Sequence, residues 1–188
     1  MAGKTAVAKI GKKKKWFDIA LPTILKGAAF SQGFSETPEE MIGRTLNVSL
    51  GDVISSPGKK QINLKLKISG VKTSVAQTDV KQLSVNPAYL LRKSRKNSKI
   101  NVKVRGKSSD DAKIGISFAI IANGHCISTA KSKMRQVLSD YLLKTIKESK
   151  KDTLVLGIIN NSIQANIKKS LHKVFPVRSV ELEKITIL

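Results

Sequence analysis

The chain has 188 residues, with 35 Lys and Arg against 13 Asp and Glu, a formal net charge of +22. A compact domain repels itself at that charge, so a polyanionic partner is the economical explanation. The sequence shows no apolar span of membrane length and no signal-type segment, and its one cysteine, Cys126, excludes an intramolecular disulfide framework and fits a reducing cytosol.

An apolar content of 40% suffices for a core, and a chain this long buries roughly 70% of its unfolded surface. The size prior is one domain with a tail. Met1–Lys15 is that tail. It holds no acidic residue and ends in Lys12-Lys13-Lys14-Lys15, and its apolar surface is too small to offset the entropy of ordering. It reads as a disordered basic arm. Trp16 follows at once, as an aromatic that either stacks on bases or anchors the arm to the core.

Leu21–Glu40, with Pro22, Gly27, Gly33 and Pro38, reads as an irregular wrapping connection. Asp18, Glu36, Glu39 and Glu40 cluster near it, which suggests a side turned away from the polyanion. Leu46, Val48 and Leu50 alternate as a short strand, and Ser55-Ser56-Pro57-Gly58 is a turn. In Gln61–Ser69, Ile62, Leu64, Leu66 and Ile68 share one strand face, with Lys65 and Lys67 on the other. Asn86 as cap and Pro87 at the first position start a helix that runs out into Arg92-Lys93-Ser94-Arg95-Lys96. A strand follows, with Ile100, Val102 and Val104 inward and Lys99, Lys103 and Arg105 outward.

Lys113–Lys150 is the organising stretch. Ile114, Ile116, Phe118 and Ile120 give the period of a strand with one buried face, and Asn123-Gly124 breaks it. Ile127, Ala130, Met134, Val137, Leu138, Tyr141, Leu142 and Ile146 then form the stripe of an amphipathic helix capped by Ser128 or Thr129. Its opposite face carries Lys131, Lys133, Arg135, Lys144 and Lys147. Periodicity leaves Thr153–Ile159 unassigned. Ile163, Ile167, Leu171, Val174 and Phe175 mark a helix stopped by Pro176, and Val177–Leu188 is a closing strand with a bulge near Lys184. The expected fold is α+β: a mainly antiparallel, barrel-like sheet flanked by helices, with residues 1–15 as arm and 16–188 as one domain.

Catalytic chemistry is absent from the pattern. Gly106-Lys107-Ser108 resembles the end of a phosphate-cradling loop, but Asn101 stands where the first glycine belongs. His125 and Cys126, taken as strand neighbours, point to opposite faces, and with only His172 besides they build no metal set. Asp110-Asp111 reads as a solvated turn tip. No enzyme activity, metal or cofactor is expected. The candidate RNA contacts are Lys12, Lys13, Lys14, Lys15 and Trp16 on the arm; Lys65, Lys67, Lys99, Lys103 and Arg105 on strands; Arg92, Lys93, Arg95 and Lys96 after the Asn-Pro helix; and Lys131, Lys133 and Arg135 on the long helix.

Four segments in order also carry a family likeness. Lys14-Lys15-Trp16-Phe17, then Ile42-Gly43-Arg44 through Ser49-Leu50-Gly51-Asp52, then Arg92–Ile100, then Phe175-Pro176-Val177-Arg178 with Glu181-Leu182-Glu183-Lys184 resemble the S-three-a-e family of small-subunit ribosomal proteins. Val85-Asn86-Pro87 departs from it, since a basic-acidic pair is usual there. The resemblance implies a structural constituent of the small ribosomal subunit, cytoplasmic and ribosome-associated, on the platform near the messenger RNA exit. Its implied partners are the 3′ region of small-subunit ribosomal RNA, neighbouring ribosomal proteins and messenger RNA near the exit, with no membrane. The end at Leu188, without the eukaryotic C-terminal extension, suggests a short archaeal-like form. The alternative is a free RNA-binding or regulatory protein, which should show a compact reading helix or a dimer seam; the scattered cations suit an irregular RNA surface read by shape.

Overall fold

The computed structural model describes residues 14–25 and 27–187. Eight strands form one sheet: β1 (Lys15–Ala20), β2 (Ala29–Ser35), β3 (Thr45–Ser49), β4 (Ile62–Lys72), β5 (Val75–Val85), β6 (Lys99–Lys107), β7 (Lys113–Ala122) and β8 (Val177–Ile187). The helices are α1 (Leu50–Ile54), α2 (Pro87–Ser94), α3 (Ser128–Glu148), α4 (Lys151–Ile159) and α5 (Ser162–His172). The fold is therefore α+β, with every strand pair antiparallel except the short β1–β5 contact.

β5 is the hub. One of its edges pairs with β4 along its whole length. The other is shared, Val75–Gln77 pairing with β1 and Gln82–Ser84 with β8. The sheet thus divides at β5, with β1–β2 leaving from one end and β8–β7–β6 from the other. No ladder joins β6 to β2 or β3 among the described residues. The sheet is open, not closed toward a barrel as the sequence suggested, because β5 divides one edge between two partners.

Alternation across the ladders separates the two faces. Val48, Leu64, Leu83, Ile185, Ile116 and Val104 stand in register across β3, β4, β5, β8, β7 and β6, and all are buried. Against this face pack Met134, Leu138, Leu142 and Ile146 of α3, with Leu154, Val155, Ile158 and Ile159 of α4 and Ile167 and Leu171 of α5. A second, small cluster of Phe17, Ile19, Met41, Ile68 and Ala76 sits under β1 and β2.

Local chemistry accounts for several boundaries. Asn86 caps α2, its side-chain oxygen accepting from Ala88 N at 3.0 Å, with Pro87 at the first helical position. Gly124 takes φ +83° after β7, a conformation that costs glycine little. The bulge expected near Lys184 falls on Glu183, which the ladder skips between Ser117↔Lys184 and Phe118↔Leu182.

Other expectations are corrected. Residues 21–40 are not wholly irregular, since β2 pairs with β1 in antiparallel register. Ser128 opens α3 instead of capping it, and Ile127 stands outside the stripe, 67% exposed. β7 buries both faces over Ser117–Ala122, because α2 packs on its second face. His125 and Cys126 lie in the β7–α3 loop, not a strand; Cys126 is buried and its N–H donates to Ser98 Oγ at 3.1 Å. Gly106 and Lys107 end β6 and lead to another strand, so no phosphate-cradling helix follows. The β6–β7 turn is more than a solvated tip: Ser108 Oγ donates to Ser149 O, and Asp110 accepts from Lys151 N at 3.3 Å, tying the turn to the α3–α4 junction.

Candidate nucleic-acid interface

The face of the sheet turned away from α3 is polar in register. One row runs Asn47, Lys65, Gln82, Thr186, Gly115, Arg105, and the next runs Ser49, Asn63, Ser84, Lys184, Ser117, Lys103. Six strands at the usual spacing make this face about 24 Å wide. Small residues in its middle leave a trough of ≈ 1230 Å³. At one end α2 overhangs it with Pro87, Leu90 and Leu91.

The trough is basic. Lys99, Lys103, Arg105, Lys107, Lys113 and Lys184 line it, against Glu183 as the one carboxylate. That carboxylate is engaged: it accepts from Ser117 Oγ at 2.7 Å and faces Lys99 Nζ at 3.9 Å. Lys103, Arg105, Lys107, Lys113 and Lys184 are exposed. Cations with open donors above a floor of hydroxyls and amides can take phosphate oxygens and ribose hydroxyls without reading base edges.

Lys93 behaves differently. It donates to Glu181 Oε1 at 2.5 Å and to Tyr89 Oη at 3.0 Å. Burial pushes its pKa down, but the hydrogen bonds to Glu181 and Tyr89 outweigh that and hold it above the ordinary lysine value. Its role is to clamp α2 to β8, and the clamp places Leu90 and Leu91 over the trough.

The remaining sequence candidates fall into separate groups. Lys65 and Lys67 extend the polar face across β4. Arg92, Arg95 and Lys96 are exposed on α2 and the loop after it. Lys133 and Arg135 are exposed and Lys131 half-buried on α3, which packs on the other face of the sheet, so these cannot join the trough. Lys14, Lys15 and Trp16 lie at the start of β1, Trp16 68% exposed against Phe34 of β2. The core-anchor reading of Trp16 is thereby overturned: the residues under β1 are Phe17 and Ile19. Lys12 and Lys13 lie outside the described residues.

Among the described residues no cluster of three His, Cys, Asp or Glu side chains is placed to hold a metal, and no helix is long and apolar enough to cross a membrane.

The model of the Ribosomal S3Ae family matches residues 2–188. The chain belongs to that family. Among its relatives, the small ribosomal subunit protein eS1 of Methanoculleus marisnigri is 27% identical over 174 residues, covering 92% of this chain and 88% of the relative. That of Methanobrevibacter smithii is 25% identical over 178 residues (94% and 92%), and that of Pyrobaculum arsenaticum 29% over 177 residues (93% and 80%).

Membership puts the family-like segments in a structural light. Arg44 of the Ile42-Gly43-Arg44 segment donates to Phe34 O at 3.1 Å and fastens the edge of the β1–β2 pair. Glu181 to Lys184 supply the clamp partner and the bulge. Sequence reasoning missed Lys107, Lys113 and Lys184 as trough residues. Lys107 and Lys113 are cross-strand partners at the mouth of the β6–β7 turn, a pairing legible from the hairpin. Lys184 faces the trough because of the bulge beside it, which simple alternation does not place.

Proposed function

We propose that this chain is a structural, non-enzymatic constituent of the small ribosomal subunit, and that its open sheet face seats small-subunit ribosomal RNA. The carrying observation is the register of polar and basic residues across six strands, in a chain whose relatives are named small ribosomal subunit protein eS1. A basic sheet face whose cations are spread along several strands, and not gathered on one reading helix, favours RNA held by backbone and shape.

On this reading residues 16–188 act as one ribosomal-protein domain. Of the arm expected over residues 1–15, residues 1–13 lie outside the described residues and Lys15 belongs to β1; on this reading the lysines before β1, Lys12 and Lys13 included, add phosphate contacts. Lys14, Lys15, Lys65, Lys67, Lys99, Lys103 and Arg105 contact RNA, and Trp16 a base. Arg92, Arg95 and Lys96 extend the contact along α2, while Lys93 acts through its clamp. Lys131, Lys133 and Arg135 meet a second RNA segment or a neighbouring protein on the far side. The family resemblance supports a cytoplasmic place on the platform near the messenger RNA exit, with neighbouring ribosomal proteins and messenger RNA at hand.

Gradient sedimentation of lysate tests this. The wild-type chain is expected with the small subunit in moderate salt. The triple variant Lys103→Ala, Arg105→Ala, Lys184→Ala, folded by its thermal transition, is expected to shift toward the free-protein fractions. A wild-type chain sedimenting free of the subunit refutes the ribosomal reading. A triple variant that stays bound refutes the trough as the seat.

A further inference from the structure

β1 and β2 present one surface that the trough does not use. Trp16 and Phe34 are cross-strand partners on β1 and β2, with ring centroids 5.8 Å apart and planes at 65°. Such pairs usually bury one another. Here Trp16 is 68% and Phe34 52% exposed, the largest exposure of any aromatic among the described residues. The core beneath has no use for them. Phe17 and Ile19 fill it from the other side of β1. Gly33 lies so close to Met41 that a Cβ would meet its Cε at 2.7 Å. The pair is therefore held on a backbone pinned to a full cluster, and both rings stand free.

The exposed rings and the one cation on them select the occupant. The Lys14 ammonium sits 5.2 Å from the Phe34 centroid, on the face the two rings share, while Lys15, cross-strand partner of buried Ser35, falls in the opposite phase. Asp18, next along the same face, accepts from Gln32 Nε2 at 2.9 Å, and Glu36, Glu39 and Glu40 follow β2, so the acidic side expected to turn from the polyanion borders the rings, and Lys14 is the cation set directly on them. Exposed, electron-rich rings beside a cation suit a nucleobase with its phosphate. A protein strand added at the free edge of β2 would leave Trp16 uncovered, because Trp16 lies one strand in, on β1. The face is also continuous with the trough. Val75 and Gln77, beside β1, share the outward side of β5 with Gln82 and Ser84 on the trough floor.

We propose that Trp16 and Phe34 form a stacking site for an unpaired nucleotide of a single-stranded RNA segment, whose phosphate is held by Lys14. The proposal rests on the RNA-binding reading above and deepens it. The trough takes RNA backbone; the aromatic pair takes one base from a strand running along the same sheet face.

The test uses the full chain, whose only tryptophan is Trp16. Its emission is followed while a short single-stranded oligoadenylate, an abasic strand of equal length, or an RNA duplex is added. Quenching by the oligoadenylate alone is expected. By anisotropy of the labelled strand, Trp16→Leu and Phe34→Leu should each weaken oligoadenylate binding about 5- to 150-fold, the worth of one stacked base, and leave duplex binding and its salt slope unchanged. Equal quenching by the abasic strand, or wild-type oligoadenylate affinity in both variants, overturns the stacking site while leaving the trough standing. Emission that ignores RNA and responds only to ribosomal proteins overturns it in favour of a protein contact. If neither RNA binds the wild-type chain at any salt, the RNA-binding reading falls as well.

Discussion

Gly51 lies against the backbone of Lys60: a Cβ at position 51 would stand 2.7 Å from Lys60 N and 2.8 Å from Lys60 Cα. The contact closes α1 onto the short helical turn at Pro57–Lys59, directly after β3 enters the core through Val48. Backbone cannot swing aside as a side chain can. Gly51→Ala is therefore expected to destabilise the fold by about 1–3 kcal/mol, each kcal/mol lowering the melting temperature by roughly 2–4 °C in a chain of this size. Gly58→Ala, where nothing lies within 4 Å, is the control and should stay close to wild type. Equal melting temperatures for the two variants would show that the loop gives way.

The two basic faces are distinguishable by salt. RNA binding through the trough should show a log–log slope of about −0.7 to −0.9 for each phosphate neutralised. Replacing Lys103, Arg105 and Lys184 with Ala should flatten that slope by up to roughly three units. Replacing Lys133 and Arg135, on the far side of the sheet, should leave the slope for a short RNA unchanged. If the α3 variant flattens the slope and the trough variant does not, the seat is on the helix side.

The Lys93–Glu181 clamp makes a statement about pH. The pKa of Lys93 is raised in the fold, as its hydrogen bonds to Glu181 and Tyr89 outweigh burial. A raised pKa means a contribution fully present below the unfolded value, near about 10.4, and lost as pH rises through the folded one. The difference in urea midpoint between wild type and Lys93→Met should therefore hold constant from about pH 6 to 9 and shrink only in more alkaline solution. A difference that disappeared between those neutral values would assign the effect to another group.

The legible parts of this fold are those where one periodicity runs unbroken. Ile100, Val102 and Val104 alternate without interruption, and β6 lies where they indicate. Asn86-Pro87 carries its own capping chemistry and α2 starts there. β1 and β2 were hidden because Gly33 and the small residues of Ala29–Ser35 give no apolar stripe; the pair is held by register and by Met41 beneath. α4 was hidden because its apolar residues nearly surround it, as a short helix buried among others requires. The candidate cations were legible as residues, but their division between two faces was not, since it depends on which side α3 covers.

β5, the hub, shows no unbroken alternation in its sequence, and the reason can be tested. Ala76, Thr78 and Val80 are buried in one phase and Leu83 and Val85 in the other, because Lys81 is an extra residue between Leu66↔Val80 and Lys65↔Gln82. Two consecutive outward residues erase the period-2 signal and bend the strand. Deleting Lys81 should bring both halves into a single alternation without turning any core side chain outward. The variant is expected to fold, with a modest loss from changed twist. Deleting Asn101 in β6 is the contrast, since that ladder runs in continuous register from Lys99 to Lys107. There one missing residue sends every side chain beyond the cut to the wrong face, placing either Ile100 or both Val102 and Val104 in solvent. Far-ultraviolet circular dichroism and urea unfolding of the two deletions decide the matter. A Lys81 deletion that unfolds while the Asn101 deletion folds would mean that the bend at Lys81, and not the alternation it interrupts, is what β5 needs to hold β4 on one edge and both β1 and β8 on the other.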